Sequence, residues 1–200
     1  MFETTAVTPD RTARRREAAK QEILDAAWAL VRQHGLAGLS MRDLAARVGL
    51  RAPSLYQYFP SKDAIYDALF EQGATQALEA MTEPTITTTD TRAALRESAH
   101  RLFDFATSDP PRAQLLYQRT IPGFEPSVGA YAPAMEMWER AQALLAAHGI
   151  TGPDDMDLWT AVISGLINQQ LSNDPGGSRW ARLVDRTVDL FLADVAPSAS

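Results

Sequence analysis

Two hundred residues, 46% of them hydrophobic, suffice for one ordinary domain or for a small domain joined to a larger one. The absence of cysteine excludes disulfides, thiolate metal sites and thiol redox sensing, and no apolar run approaches the roughly 20 residues of a membrane helix. The net charge of −6 is unevenly placed: residues 1–60 hold nine Lys/Arg against six Asp/Glu and the remainder ten against nineteen, so a basic head precedes an acidic body.

The chain opens MFETTAVTPDRTARRR, polar and then basic, without the apolar segment of a signal peptide, and a cytoplasmic protein is expected. Residues 1–12, polar with Thr and Pro, are expected to be disordered. Arg11, Arg14, Arg15, Arg16 and Lys20 read either as an arm entering a DNA minor groove or as a solvated helix end. From Arg14 to about His34 the apolar residues Ile23, Leu24, Ala27, Leu30 and Val31 fall at helical spacing, and Gly35 and Gly38 close the helix.

The segment Ser40–Lys62 has the layout of a helix-turn-helix. Ser40 is an N-cap with Asp43 placed to complete a capping box. Leu44, Ala45 and Val48 give one apolar face, and Gly49 is the stop. Pro53 suits a first helical turn, and a second helix is expected to run to about Phe59. Pro60 ends it and Ser61 caps the next. In this arrangement Arg51, Ala52, Pro53, Ser54 and Gln57 face base edges, where Gln can read adenine and Arg guanine or phosphate. Ser40, Met41 and Arg42 are placed to hold the DNA backbone, while Leu55 and Phe59 point inward.

Leu39-Ser40-Met41-Arg42-Asp43-Leu44-Ala45, Val48-Gly49, Leu55-Tyr56-Gln57-Tyr58-Phe59 and Ser61-Lys62 together resemble the DNA-binding motif of the TetR family of bacterial repressors. The resemblance is close over about the first third of the chain. It implies that Tyr56 and Tyr58 lie near the DNA backbone and that Lys62 donates to phosphate at a helix N-terminus; the plainer reading of the tyrosines is packing within a small domain. Arg51 departs from the pattern, since the family often has a capping Ser or Thr there.

Beyond Ser61 the pattern predicts helices to about Pro84, over 91–108, around 112–118, over 128–148 with Pro133 inside, over 154–172 and over 178–194. TITTTD, IPGFEPS and SNDPGG are the loops, and no segment reads as a strand. The fold expected is all-α, about nine helices, with a three-helix DNA-binding head at 13–60 and a larger ligand-binding and dimerisation domain at 61–196.

The body is rich in Phe, Met and Trp. By the resemblance these form a cavity for a small apolar or amphipathic inducer, with Phe103, Tyr117, Phe124, Met135, Trp138 and Trp159 as its candidates and Gln114, Arg119 and Asn168 as polar neighbours. Plain core is the alternative. The family dimerises through its last two helices, where Leu158, Val162, Gly165, Leu166, Gln169, Trp180, Val184, Val188 and Phe191 recur at helical spacing; ordinary core packing is again the alternative. His34, His100 and His148 are far apart, and Asp154, Asp155 and Asp157 crowd a helix start, so no metal or cofactor is expected. No catalytic motif is present. The function expected is a ligand-responsive repressor that binds a palindromic double-stranded operator as a homodimer. An activator or ligand-independent regulator of the same fold is the alternative, and a helical carrier or enzyme with a structural helix-turn-helix is a further one.

Overall fold

A computed structural model describes residues 11–195, all of whose regular structure is helical. Nine α-helices follow in order among them: α1 (Arg11–His34), α2 (Met41–Arg47), α3 (Ala52–Tyr56), α4 (Lys62–Thr82), α5 (Thr91–Ser108), α6 (Pro110–Tyr117), α7 (Val128–Ala147), α8 (Asp155–Asn173) and α9 (Val184–Val195). A 3-10 turn, Ala181–Leu183, leads into α9, which therefore starts later than its sequence pattern implies. The chain divides into two compact units at Leu69 and Phe70, and α4 contributes residues to both. The tail expected at 1–12 lies outside the described residues up to position 10; Arg11 and Thr12 already belong to α1. None of the described helices is long and apolar enough to cross a membrane.

Short polar residues set the helix starts. Ser40, Ser61, Asp90, Asp109 and Ser127 each accept a bond from a backbone N–H in the first turn of α2, α4, α5, α6 and α7. Each satisfies one of the donors that a helix start leaves open. Gly49 ends the α2 region at φ +67°, a conformation that side chains with a Cβ resist.

In the first unit, Ile23, Ala27, Val31, Leu44, Leu55, Phe59 and Ile65 are buried together with Tyr66, whose hydroxyl donates to the Leu36 carbonyl at 2.5 Å. In the second, α5 packs against α8 and α9. Its face Leu95, Ala99, Phe103 and Ala106 meets Trp159, Ile163, Leu166 and Ile167 of α8 and Val184, Val188 and Phe191 of α9 in one core. Gln170, only 2% exposed, organises the loop that returns the chain to α9. Its amide donates to the carbonyls of Asp174 and Gly177 and its oxygen accepts from the Trp180 N–H.

This core corrects part of the interface read from the sequence. Leu166, Val184, Val188 and Phe191 are buried within their own chain, and Val162 and Trp180 are half-buried against the same core. A helical apolar stripe reports that a face is covered, not which chain covers it. Leu158, Gly165 and Gln169 remain exposed on α8. Val188→Ala and Val128→Ala compare one substitution at 0% and 92% exposure. The first should cost about 2–3 kcal/mol of unfolding free energy and the second under about 0.5 kcal/mol, read from urea midpoints by Trp fluorescence.

Candidate functional site

The first unit presents its polar helix-turn-helix face outward. Ser40, at the N-cap of α2, accepts from the Asp43 N–H at 3.4 Å, and Met41 and Arg42 open that helix. Arg51 stands at the N-cap of α3 with an extended backbone and no side-chain capping bond, so its guanidinium is left to the exterior. Ala52, Pro53 and Gln57 are exposed around a short helix with proline in its first turn, and Ser54 is half-buried. Tyr56 is 48% exposed, whereas Leu55 is buried as a side chain directed into the unit.

The second helix of the motif is shorter than the sequence suggests. α3 ends at Tyr56 and Gln57 is its C-cap. The chain then tightens, with the N–H groups of Tyr58 and Phe59 both donating to the Leu55 carbonyl, and Phe59 turns into the core.

Arg16, read from the sequence only as part of a basic run, closes the exposed end of α3. Its guanidinium donates to the Gln57 carbonyl at 2.9 Å and lies 5.7 Å from the Tyr58 ring centroid. A cation at a helix C-terminus meets the negative end of the helix dipole and satisfies a carbonyl without a helical partner. Nothing in the local spacing of residue 16 could indicate this contact, which joins positions 41 residues apart. Arg14 and Arg15 lie exposed on α1, within a helix rather than an extended arm.

Lys62 opens α4 with its ammonium 3.3 Å from the Ala37 carbonyl and 5.3 Å from the Tyr66 ring centroid. An ammonium has three donors, so this contact orients the group and leaves donors for an anion.

The second unit contains a cavity of about 790 Å³, walled by residues of α4 to α8 and by Thr85 and Ile86. Tyr117, Met135, Trp138 and Trp159 line it as the sequence suggests, joined by Phe70, Met81, Ser98, Leu102, Tyr131, Met137 and Met156. Phe70 and Tyr131 stack with centroids 5.7 Å apart. Tyr117 keeps 41% of its surface open. Desolvation nevertheless pushes its phenol up to about 12, against a smaller opposing effect of Arg112, so it stays protonated at neutral pH.

Phe103 and Phe124 do not line this cavity. On α5 neighbouring residues point about 100° apart, which turns Phe103 into the core and leaves Ser98 and Leu102 for the cavity. Phe124 is half-buried in the loop before α7. The polar neighbours are elsewhere as well: Asn168 accepts from Gln118, Arg119 pairs with Glu125, and Gln114 caps the end of α6 through its carbonyl. Among the lining residues that sequence reasoning missed, Tyr131 and Met156 carry the same aromatic and methionine signal as their neighbours, whereas Ser98 carries none. Among the described residues no three His, Asp or Glu side chains are grouped to hold a metal ion.

Residues 23–69 match the model of the bacterial regulatory proteins of the tetR family. The chain is 30% identical over 115 residues to the HTH-type transcriptional activator FasR of Mycolicibacterium smegmatis, a match covering 58% of this chain and 52% of that protein. It is 29% identical over 157 residues to the HTH-type transcriptional repressor Rv1353c of Mycobacterium tuberculosis, covering 78% and 58%. The chain thus spans little more than half the length of these curated relatives. The crystal structure of PfmR, a TetR family transcriptional regulator from Thermus thermophilus, superposes with a TM-score of 0.61 at 25% identity, covering 86% of this chain and 97% of that one.

If Arg16 secures the end of α3, Arg16→Ala should destabilise that end by about 1 kcal/mol. The Tyr58 and Phe59 amides should then exchange about fivefold faster with solvent deuterium, while amides in the middle of α1 keep their rates. Unchanged exchange at Tyr58 and Phe59 would remove Arg16 from this role.

Proposed function

Because the chain belongs to the tetR family of bacterial regulatory proteins, we propose that it is a ligand-responsive transcriptional repressor which binds a palindromic operator as a homodimer. The observation that carries the reading is the outward face of α2 and α3. There Arg42, Arg51, Ala52, Pro53 and Gln57 are exposed on a basic head while Leu44, Ala45 and Leu55 of the same helices are buried. Gln57 and Arg51 read bases, and Ser40, Met41, Tyr56, Tyr58 and Lys62 hold the backbone. The two curated relatives carry opposite signs of control in their names. Repression is favoured here because the cavity offers a ligand a means of release: a ligand that prefers the conformation with mismatched head spacing draws the population from DNA.

The dimer contact in this reading is the face that the core leaves open: Leu158, Gly165 and Gln169 on α8, with Leu190, 63% exposed, on α9. A Cβ at Gly165 would meet nothing within 4 Å. The chain itself therefore makes no steric demand for glycine in mid-helix, where it costs about 1 kcal/mol relative to alanine. A closely approaching helix of a second copy supplies the demand.

Two experiments test the proposal. On a randomised operator library over a salt series, Lys62→Ala should weaken all sequences alike and flatten the salt dependence by about one unit. Gln57→Ala should instead relax preference at one position, costing about 1–3 kcal/mol on the best site. Equal, sequence-blind losses would defeat the assignment of Gln57 to base reading. Gly165→Leu and Leu190→Arg should leave the chain folded but monomeric by light scattering, with operator affinity reduced roughly 10²-fold or more. Variants that stay dimeric would move the contact elsewhere.

A further inference from the structure

We infer that the cavity selects an uncharged, predominantly apolar molecule with one hydrogen-bonding group, anchored at Ser98 and Ser164, and rejects the ionised form of the same skeleton. The inference rests on the ligand-responsive reading and narrows it to a chemical class.

The charge of the lining is the first argument. Among the residues that line the cavity there is no Asp, Glu, Lys or His, and Arg140 is the one formal charge. That charge is already answered: the guanidinium reaches a single Glu136 oxygen through Nη2 at 2.7 Å and Nε at 3.1 Å. An anionic ligand that reached the remaining donors of this guanidinium would face the Glu136 carboxylate, whose charge opposes it. A cationic ligand would find aromatic faces at Tyr131 and Trp138 but no lining carboxylate. Transfer of an ion to such surroundings forfeits hydration with nothing to replace it. The Tyr117 phenol, raised to about 12, adds no charge at neutral pH.

The second argument is the inventory of hydroxyls. Thr82 and Thr160 donate to the carbonyls of Leu78 and Met156 in their own helices and are satisfied. Ser98 is buried on α5 and Ser164 half-buried on α8; both line the cavity, and neither hydroxyl is engaged by a hydrogen bond among the described residues. A hydroxyl both donates and accepts, so each suits a neutral polar group such as an alcohol, ketone or aryl amine. Apart from Arg140 and the exposed Thr85, the remaining wall is aliphatic, aromatic and thioether, and the volume of about 790 Å³ fits a molecule of drug size.

Two fluorescent probes with one arylaminonaphthalene skeleton test this directly: N-phenyl-1-naphthylamine, which is uncharged, and 8-anilinonaphthalene-1-sulfonate, which is an anion. Titrated into the full chain at neutral pH, the uncharged probe should saturate at one per chain and the sulfonate should bind at least about tenfold more weakly. Ser98→Ala should weaken the uncharged probe by about 3- to 10-fold. Trp138→Ala should do so as well, with Tyr131→Ala on the more exposed side of α7 as the second variant should Trp138→Ala not fold. If the sulfonate binds as tightly as the neutral probe and loses that affinity in Arg140→Gln, the class is wrong and the cavity takes amphipathic anions, while the ligand-responsive reading stands. If neither probe saturates at one site sensitive to Trp138 or Tyr131, the cavity is not a ligand site and both readings fall.

Discussion

The packing of α5 against α8 and α9 is the constraint on which the larger unit depends. Val184, Val188 and Phe191 place the whole apolar stripe of α9 into that contact, and Trp159 meets Phe191 at 5.1 Å between ring centroids. Arg96 marks the edge of the seam, donating to both oxygens of Asp189, with Arg92 on the same carboxylate and His100 on Asp185. Partly exposed pairs of this kind contribute little energy, about 0–1 kcal/mol each, so the direction in which α9 crosses α5 rests on the apolar contact. Once that direction is set, the other faces follow. Ser98 and Leu102 on α5, with Met156, Thr160 and Ser164 on α8, lie beside that contact and form cavity wall together with residues of α4, α6 and α7.

Trp159 and Ile163 belong to both environments, packed in the core on one side and bounding the cavity on the other. That double duty explains why a choice between core and cavity, residue by residue, could not be made from the sequence. Residue type is the same for both uses, and rotation about the helix axis decides between them. Phe103 and Leu102 differ by one position and about 100°; both touch the core, and of the two Leu102 alone also lines the cavity.

The helices were legible because their signals are local: capping residues, apolar spacing, and Gly or Pro at the ends. The head was more legible than the body, since α2, α3 and the start of α4 carry capping, turn and core residues at fixed short separations. Even there the end of α3 departs from the pattern. A pattern of side chains shows that Phe59 is buried but not that the helix closes in a tightened turn, with the Tyr58 and Phe59 N–H groups on one carbonyl. The link from Arg16 to Gln57 depends on tertiary approach between distant segments, and the hold of Gln170 on the loop before α9 depends on how that loop folds back. Spacing within one helix carries no information about such contacts.

α7 shows the same physics from the other direction. This 20-residue helix buries only Ala130 and Leu145, although it carries Tyr131, Met135, Met137 and Trp138. An amphipathic helix usually covers its apolar face with protein; here much of that face looks onto the cavity. Such a helix contributes less to the unit than its composition allows, because the contacts its side chains would make have no partner atoms. A molecule that fills the cavity supplies those atoms to the folded state alone, so its binding adds stability by mass action. The deficit on α7 and the open cavity are therefore one property. Both follow from a core in which α5, α8 and α9 satisfy one another and leave α7 to face the space that remains.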